Sequence, residues 1–314
     1  MTRRILILGM EGLFEAAAAR AFRAAGWDVD RYQRGSDISI AARGARWILN
    51  AANPDQTTDL ERELPELTKK VIAAAQNSGA AVMVPGNFQV YGRSGSAWGP
   101  DCPHAPVTRR AKARSEAEKR YREAADSSHS MVMLRAGDFI MPGAQSTVMN
   151  SVILNRLAKH EIAALGPAEK MHIHADLEDL TRVTVALAET ADMGGGFLDI
   201  PFPGTRFSPR QLAESLSAQL DRKVRLTAYP WWRKGFGTAG RRIAPTRYMY
   251  QADQIIDEGP FRMLFPDYET KSLERIAFEH LYMRGMKVKP EGRAAAQSPR
   301  LQAHGQAMST QTIL

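Results

Sequence analysis

The sequence predicts an α/β fold, a doubly wound parallel sheet followed by a smaller α/β lobe. Three observations predict it. Short apolar runs alternate with helical stretches of about 10 to 20 residues through the first part of the chain. The first run, "ILIL", ends in a turn that carries two glycines, "GMEGLFE". After residue 140 the alternation loosens into shorter elements. We place the first unit at 1–145, the lobe at 146–288 and a tail at 289–314.

The elements follow in order. "RRILILG" is a short buried strand bounded by charge and glycine. "LFEAAAARAFRAAGW" is an alanine-rich helix that closes at Gly26. "WDVDRYQR" alternates as a second strand and "RWILNAAN" is a third. "LERELPELTKKVIAAAQNSG" is a helix with Pro65 near its first turn and Gly79 at its end. "AAVMVPG" is the fourth strand. "TRRAKARSEAEKRYREAAD" is a long polar helix with opposite charges at i,i+4 spacing, and "SMVMLRAG" is the fifth strand. Beyond it, "STVMNSVILNRLAKHE" reads as a helix and "EKMHIHADLEDLTRVTVALAETA" as strand, turn and helix. "GGFLDIPF" is a strand, and this half as a whole reads as a smaller lobe partly woven back into the sheet. "SPRQLAESLSAQLDR" is a capped helix and "KVRLTAYPWW" a strand. Met263, Leu264 and Phe265 read as core. From Lys289 onward there is no periodicity and few large apolar residues, which predicts disorder.

Composition narrows the class. Of 314 residues, 44% are hydrophobic and 24% charged, as in soluble globular proteins. The single cysteine, Cys102, excludes an intrachain disulfide and suits a reducing compartment. The apolar run after the N-terminal arginines is too short for a secretory signal, and no stretch approaches the ~18 apolar residues of a membrane span. A cytoplasmic protein with no membrane span is expected. The net charge of +8 admits an anionic partner or a merely solvated basic surface. The denser basic groups, 109–122 and 233–247, do not interleave aromatics with basic residues, so nucleic acid is not expected.

Gly9 and Gly12 fall at the first strand-to-helix turn, where glycine permits a tight bend and lets a diphosphate approach the helix N-terminus. The first unit is therefore expected to be a dinucleotide-binding domain of the Rossmann type. Where a third small residue is expected stands Glu15. A carboxylate in a first helical turn suits the helix dipole, so Glu15 is either a dipole-matched surface residue or a substitute for the cofactor phosphates.

The start of the chain, "ILILGMEGLFEAAAARAFRAAGWDVDRYQR" followed by "WILNAAN", resembles the extended short-chain dehydrogenase/reductases, the NAD-dependent epimerase/dehydratase group. The likeness continues through "VPGNFQVYG", "LRAGDFIMPG" and "HIHADLEDLTRV" and covers roughly residues 3 to 285. It implies a cofactor held by Gly9, Met10, Gly12, Leu13, Arg34, Ala51, Ala52, Lys112, Ala136, Gly137 and Phe139. Arg34 closes the second strand, where an arginine in this group meets the 2′-phosphate of NADP. A guanidinium suits phosphate by charge and geometry, so NADP(H) is favoured and NAD remains open. A homodimer is a further implication.

One departure is central. The group's acid/base pair is Tyr-x-x-x-Lys at the start of the long helix, with a Ser or Thr after the fourth strand. Here Lys112 pairs in that spacing with Thr108, and Arg114 with Arg110; neither register supplies a tyrosine. Asn87 fills the Ser/Thr position. Two readings stay open. In one, Lys112 holds the ribose, Asn87 polarises a carbonyl and Tyr91 donates a proton, with Thr108 beside them. The protein is then an oxidoreductase or epimerase-like enzyme acting on a small-molecule carbonyl or alcohol. In the other the chain is a catalytically silent dinucleotide-binding sensor or scaffold.

Other residues carry less. His172 and His174 share one strand face, with Asp176 and Asp179 near, but no third ligand has convincing spacing and no metal is expected. "YPWW", Tyr229 to Trp232, serves either lobe packing or a substrate pocket. Cys102, in the proline-rich loop "GPDCPHAP", has no adjacent base and reads as incidental.

Overall fold

The computed structural model describes residues 3–9, 12–52, 60–190, 195–233, 241 and 243–289. Met10 and all of the expected tail except Lys289 lie outside them. Six parallel strands form the central sheet: β1 (Arg4–Leu8), β2 (Asp28–Arg31), β3 (Trp47–Asn50), β4 (Ala81–Asn87), β5 (Ser130–Ala136) and β9 (Gly196–Pro201). Their order is β2-β1-β3-β4-β5-β9. The chain runs outward from β1 to β2 and then crosses back to β3 on the other side of β1, so the sheet has its switch point at the carboxyl ends of β1 and β3. Open α/β sheets bind ligands at such a point.

Both faces of the sheet are buried, which explains the near-continuous apolar strands. Side chains alternate across a strand. Ile5, Ile7, Trp47 and Leu49 face α1 (Leu13–Ala24) and α5 (Leu177–Glu189), packing with Phe14, Phe22, Val183 and Leu187. Leu6, Leu8 and Ile48 face the other way, with Val71 and Ala74 of α3 (Leu60–Ser78) and Tyr121 of α4 (Arg109–Ala124). The expected strand "GGFLDIPF" is β9, paired with β5 from Ser130↔Gly196 to Arg135↔Pro201.

The lobe holds a three-stranded sheet, β10-β8-β6, and a parallel pair, β11-β7. Its strands are β6 (Asp138–Ile140), β7 (Glu161–Ala164), β8 (His172–Asp176), β10 (Thr205–Phe207) and β11 (Arg225–Ala228). The helices α6 (Pro209–Leu220) and Leu273–Met283 cover them with Leu212, Leu216, Ile276 and Leu281. A capping box of Ser208 and Gln211 fixes the start of α6.

Three sequence expectations are corrected. The stretch "STVMNSVILNRLAKHE" is not an α-helix but a π-type turn, Met149–Ile153, and a 3-10 turn, Leu157–Lys159. Polar side chains there bond the backbone instead: Asn150 donates to the carbonyls of Met141 and Ala144, at 2.8 and 3.0 Å, and Thr147 to Ala144 at 3.0 Å. Met263 is not core but exposed on the helix Gly259–Leu264. The second strand ends at Arg31, three residues before Arg34.

Phe22 is fully buried and meets the Trp27 ring edge-on at 5.4 Å. Phe22→Ala is expected to lower unfolding free energy by about 3–5 kcal/mol. Urea denaturation checks this, and a loss below about 1 kcal/mol would contradict the packing described.

Candidate functional site

The switch point gathers most of the residues expected to hold a cofactor. Gly9 leaves β1 with φ of +143°, a backbone angle that side-chain-bearing residues rarely adopt. Gly12 is the N-cap of α1 and supplies no side-chain cap, so the first N–H groups of the helix face the turn without one. The Ala51 N–H donates to the Leu8 carbonyl at 3.0 Å, bringing the end of β3 against the turn. Ala52 and Leu13 pack on the two sheet faces beside it. Phe139 of β6 stacks on Phe14 of α1, ring centres 5.8 Å apart. Ala136 is buried at the end of β5, and Gly137 passes so close to the Ile173 carbonyl that a side chain would collide with it.

The space over the two described glycines is taken. The Glu15 side chain folds back over both glycines. A Cβ placed on Gly9 would lie 2.6 Å from Glu15 Cγ and Oε1, and one on Gly12 2.6 Å from its Cδ. Burial raises the Glu15 pKa, opposed by a hydrogen bond from its own backbone N–H and by the charge of Arg31. In this arrangement the turn does not admit a phosphate. Arg34 is exposed beyond the end of β2, so the charge felt at the turn is that of Arg31.

The groups expected to handle protons are committed elsewhere. Tyr91 is fully buried: its hydroxyl donates to the Gly99 carbonyl at 3.1 Å, and its ring packs on Trp98 and His104. Burial, foremost, pushes its pKa up and keeps the hydroxyl protonated. The Asn87 side chain accepts from Gln89 N–H at 2.9 Å, capping the 3-10 turn Phe88–Tyr91. Thr108 Oγ1 accepts from Ala111 N–H at 3.1 Å as the N-cap of α4. Lys112 is exposed on α4, where its charge helps lower the pKa of Glu61 of α3. In the alternative register, Arg114 sits one helical turn after Arg110, and burial together with the Arg110 charge lowers its pKa.

Sequence reasoning missed a buried polar cluster. Arg135, next to last in the apolar strand β5, is completely buried. Its guanidinium donates to Asp199 at 2.6 and 2.8 Å, to Glu118 at 2.8 Å and to the Asn87 carbonyl at 3.1 Å, and lies 4.9 Å from the Tyr91 ring centre. A charge inside "SMVMLRAG" was the available signal. His172 and His174 are both buried. The first meets Tyr250 edge-on at 5.5 Å and the second stacks on Phe207 at 4.1 Å. Tyr250 donates to Asp138 Oδ2 at 2.6 Å. Among the described residues no group of three or more His, Cys, Asp or Glu is placed to hold a metal ion. No described helix is long and apolar enough to cross a membrane.

The architecture is that of a Rossmann-like α/β protein with a smaller α/β lobe. No protein-family profile and no curated protein matches the chain. Solved structures do. A putative epimerase from Burkholderia cenocepacia is 16% identical with a TM-score of 0.72, covering 90% of this chain and 98% of that one. UDP-glucuronic acid 4-epimerase from Bacillus cereus, in complex with UDP-glucuronic acid and NAD, is 13% identical with a TM-score of 0.70, covering 90% and 99%. TunA, an NAD-dependent NDP-hexosamine 5,6-dehydratase of tunicamycin biosynthesis, is 15% identical with a TM-score of 0.67, covering 90% and 97%. The chain shares the fold of these epimerase and dehydratase structures.

Two outcomes follow from the buried charges. Asp199→Ala strands part of a sealed guanidinium and is expected to cost about 3–5 kcal/mol, read by urea unfolding; a neutral variant would contradict the network. Burial, foremost, depresses His172 to about 4, His174 to about 3 and His280 to about 4 from an ordinary 6.5. Between those values the unfolded chain binds protons that the folded one refuses. Stability is therefore intact above about pH 6.5 and falls as pH drops towards 4, by about 1.4 kcal/mol per pH unit for each histidine. A denaturation midpoint unchanged from pH 7 to 5 would contradict this.

Proposed function

We propose that the chain is a nicotinamide-dinucleotide-binding protein of the oxidoreductase or epimerase type, acting on a small-molecule carbonyl or alcohol. One observation carries the reading: Gly9 at φ +143° and Gly12, the N-cap of α1, flank the strand-to-helix connection at the switch point of a parallel sheet, with Glu15 lying over both. Arg31, the last residue of β2, and Arg34 three residues on are exposed guanidinium groups suited to a 2′-phosphate, which supports NADP(H) over NAD. The solved neighbours bound to UDP-glucuronic acid make nucleotide sugars the first substrates to try.

A second reading, a silent dinucleotide-binding sensor or scaffold, is favoured by a different observation. Tyr91, Asn87 and Thr108 all spend their polar groups on the protein itself. Binding is common to both readings, and turnover separates them.

Calorimetric titration with NADPH and NADH is expected to give tighter NADPH binding. Arg34→Ala is expected to weaken NADPH several-fold and leave NADH nearly unchanged. An equal loss for both cofactors would remove the 2′-phosphate role. Absence of binding by either, including to a chain in which Glu15 is shortened, would overturn the dinucleotide reading.

A further inference from the structure

A cavity of about 260 Å³ lies between the loop that follows β4 and the segment 248–253. Trp98, Tyr248 and Met249 give it apolar walls; Arg93, Gln251 and Asp253 are polar side chains that line it. Its walls are tied to one another. The Trp98 N–H donates to the Ile255 carbonyl at 2.8 Å, and the Asp257 N–H to the Trp98 carbonyl at 2.9 Å. The Tyr248 hydroxyl donates to the Gln89 carbonyl at 3.3 Å. Gly92 turns the loop at φ +62°, where a side chain would collide with the Ala105 carbonyl.

Two donors of this cavity find no acceptor in the protein. Trp98 is only 5% exposed, yet its buried indole N–H has no hydrogen-bond partner, an uncommon state for a buried polar group. Arg93 is exposed, with its guanidinium 6.0 Å from the Tyr248 ring centre, and pairs with no carboxylate among the described residues. Asp253, the acidic lining residue, is already committed. Its Oδ2 accepts from Lys170 at 3.0 Å and its Oδ1 from the Met171 N–H at 2.8 Å.

We propose that this cavity binds a small planar aromatic carboxylate, its ring against Trp98 and Tyr248 and its carboxylate on the Arg93 guanidinium. The forked guanidinium matches a carboxylate in charge and geometry. Aromatic walls favour a flat ring over an aliphatic chain. The volume falls just below the range of pockets for drug-sized ligands, which suits one ring or a fused pair. One unpaired guanidinium beside the Asp253 carboxylate suits a single negative charge better than several. A ligand oxygen is the acceptor that the Trp98 N–H lacks. The site uses neither Gly9, Gly12 nor Glu15, so it stands independently of the dinucleotide reading.

The test titrates benzoate, indole-3-carboxylate and the neutral benzamide into the full chain without any cofactor. Calorimetry reads affinity, and two-dimensional NMR follows the indole N–H of Trp98, assigned through its own backbone. Arg93→Ala and Arg93→Lys are titrated alongside; Arg93 is exposed, and circular dichroism verifies that both variants are folded. Both carboxylates are expected to bind saturably and to move the Trp98 indole resonance. Benzamide, and benzoate with Arg93→Ala, are expected to bind at least tenfold more weakly, with Arg93→Lys in between. No saturable binding of either carboxylate at millimolar concentration would overturn the proposal. So would benzoate affinity unchanged by Arg93→Ala, benzamide binding as tightly as benzoate, or binding that leaves the Trp98 resonance unmoved.

Discussion

The buried guanidinium of Arg135 is the constraint on which this half of the molecule depends. An unpaired charge in a protein interior is costly, so the fold must surround it with acceptors. They come from separate elements: Asp199 from β9, Glu118 from α4, the Asn87 carbonyl from β4, and the Tyr91 ring from the turn after it. His104 closes the cluster 3.4 Å from the guanidinium, and burial holds it neutral by depressing its pKa to about 4. One side chain thus ties the edge strand β9 to the sheet and docks α4 on its face.

That arrangement explains the fate of the residues that look catalytic. Tyr91 lies under the guanidinium with its hydroxyl spent on Gly99, and Asn87 offers its carbonyl to Arg135 and its side chain to the next turn. The α4 helix, held by Glu118, presents Thr108 as a cap and carries arginines at 110 and 114. The carboxyl ends of β4 and β5 are built around a structural ion cluster, while the carboxyl ends of β1 and β3 meet at the switch point of the sheet. Glu15 sits there, where a helix N-terminus rewards negative charge. The fold is shared with the epimerase and dehydratase structures, and within it the side chains at these two strand ends bond to the protein itself.

Much of this was legible in the sequence. The alternation of "ILIL", "WILN", "VMV" and "MVML" with amphipathic helices gave a parallel sheet, because buried strands between two helical layers have no polar face. Gly9 and Gly12 located the turn, and Glu15 stood out as foreign to it. What stayed hidden depended on tertiary neighbours. Nothing local shows that Tyr91 points inward or that Asp199 and Glu118 converge on Arg135, since these partners are 64 and 17 residues away. The segment around Asn150 carried apolar residues at helical spacing, yet its amide and hydroxyl groups won the competition for backbone partners. Arg34 was misplaced for a simpler reason: strand ends drift by a few residues in sequence reading, and β2 stops at Arg31.

The proposed function stands on a dinucleotide binding at Gly9 and Gly12, beneath the Glu15 carboxylate. A crystal structure of the protein grown with saturating NADPH tests it most directly. The account predicts diphosphate density over Gly9 and Gly12, with the Glu15 side chain rotated away from both glycines and α1 unmoved. Glu15 still lying across the glycines, with the nucleotide bound at another surface or absent at saturating concentration, would contradict it.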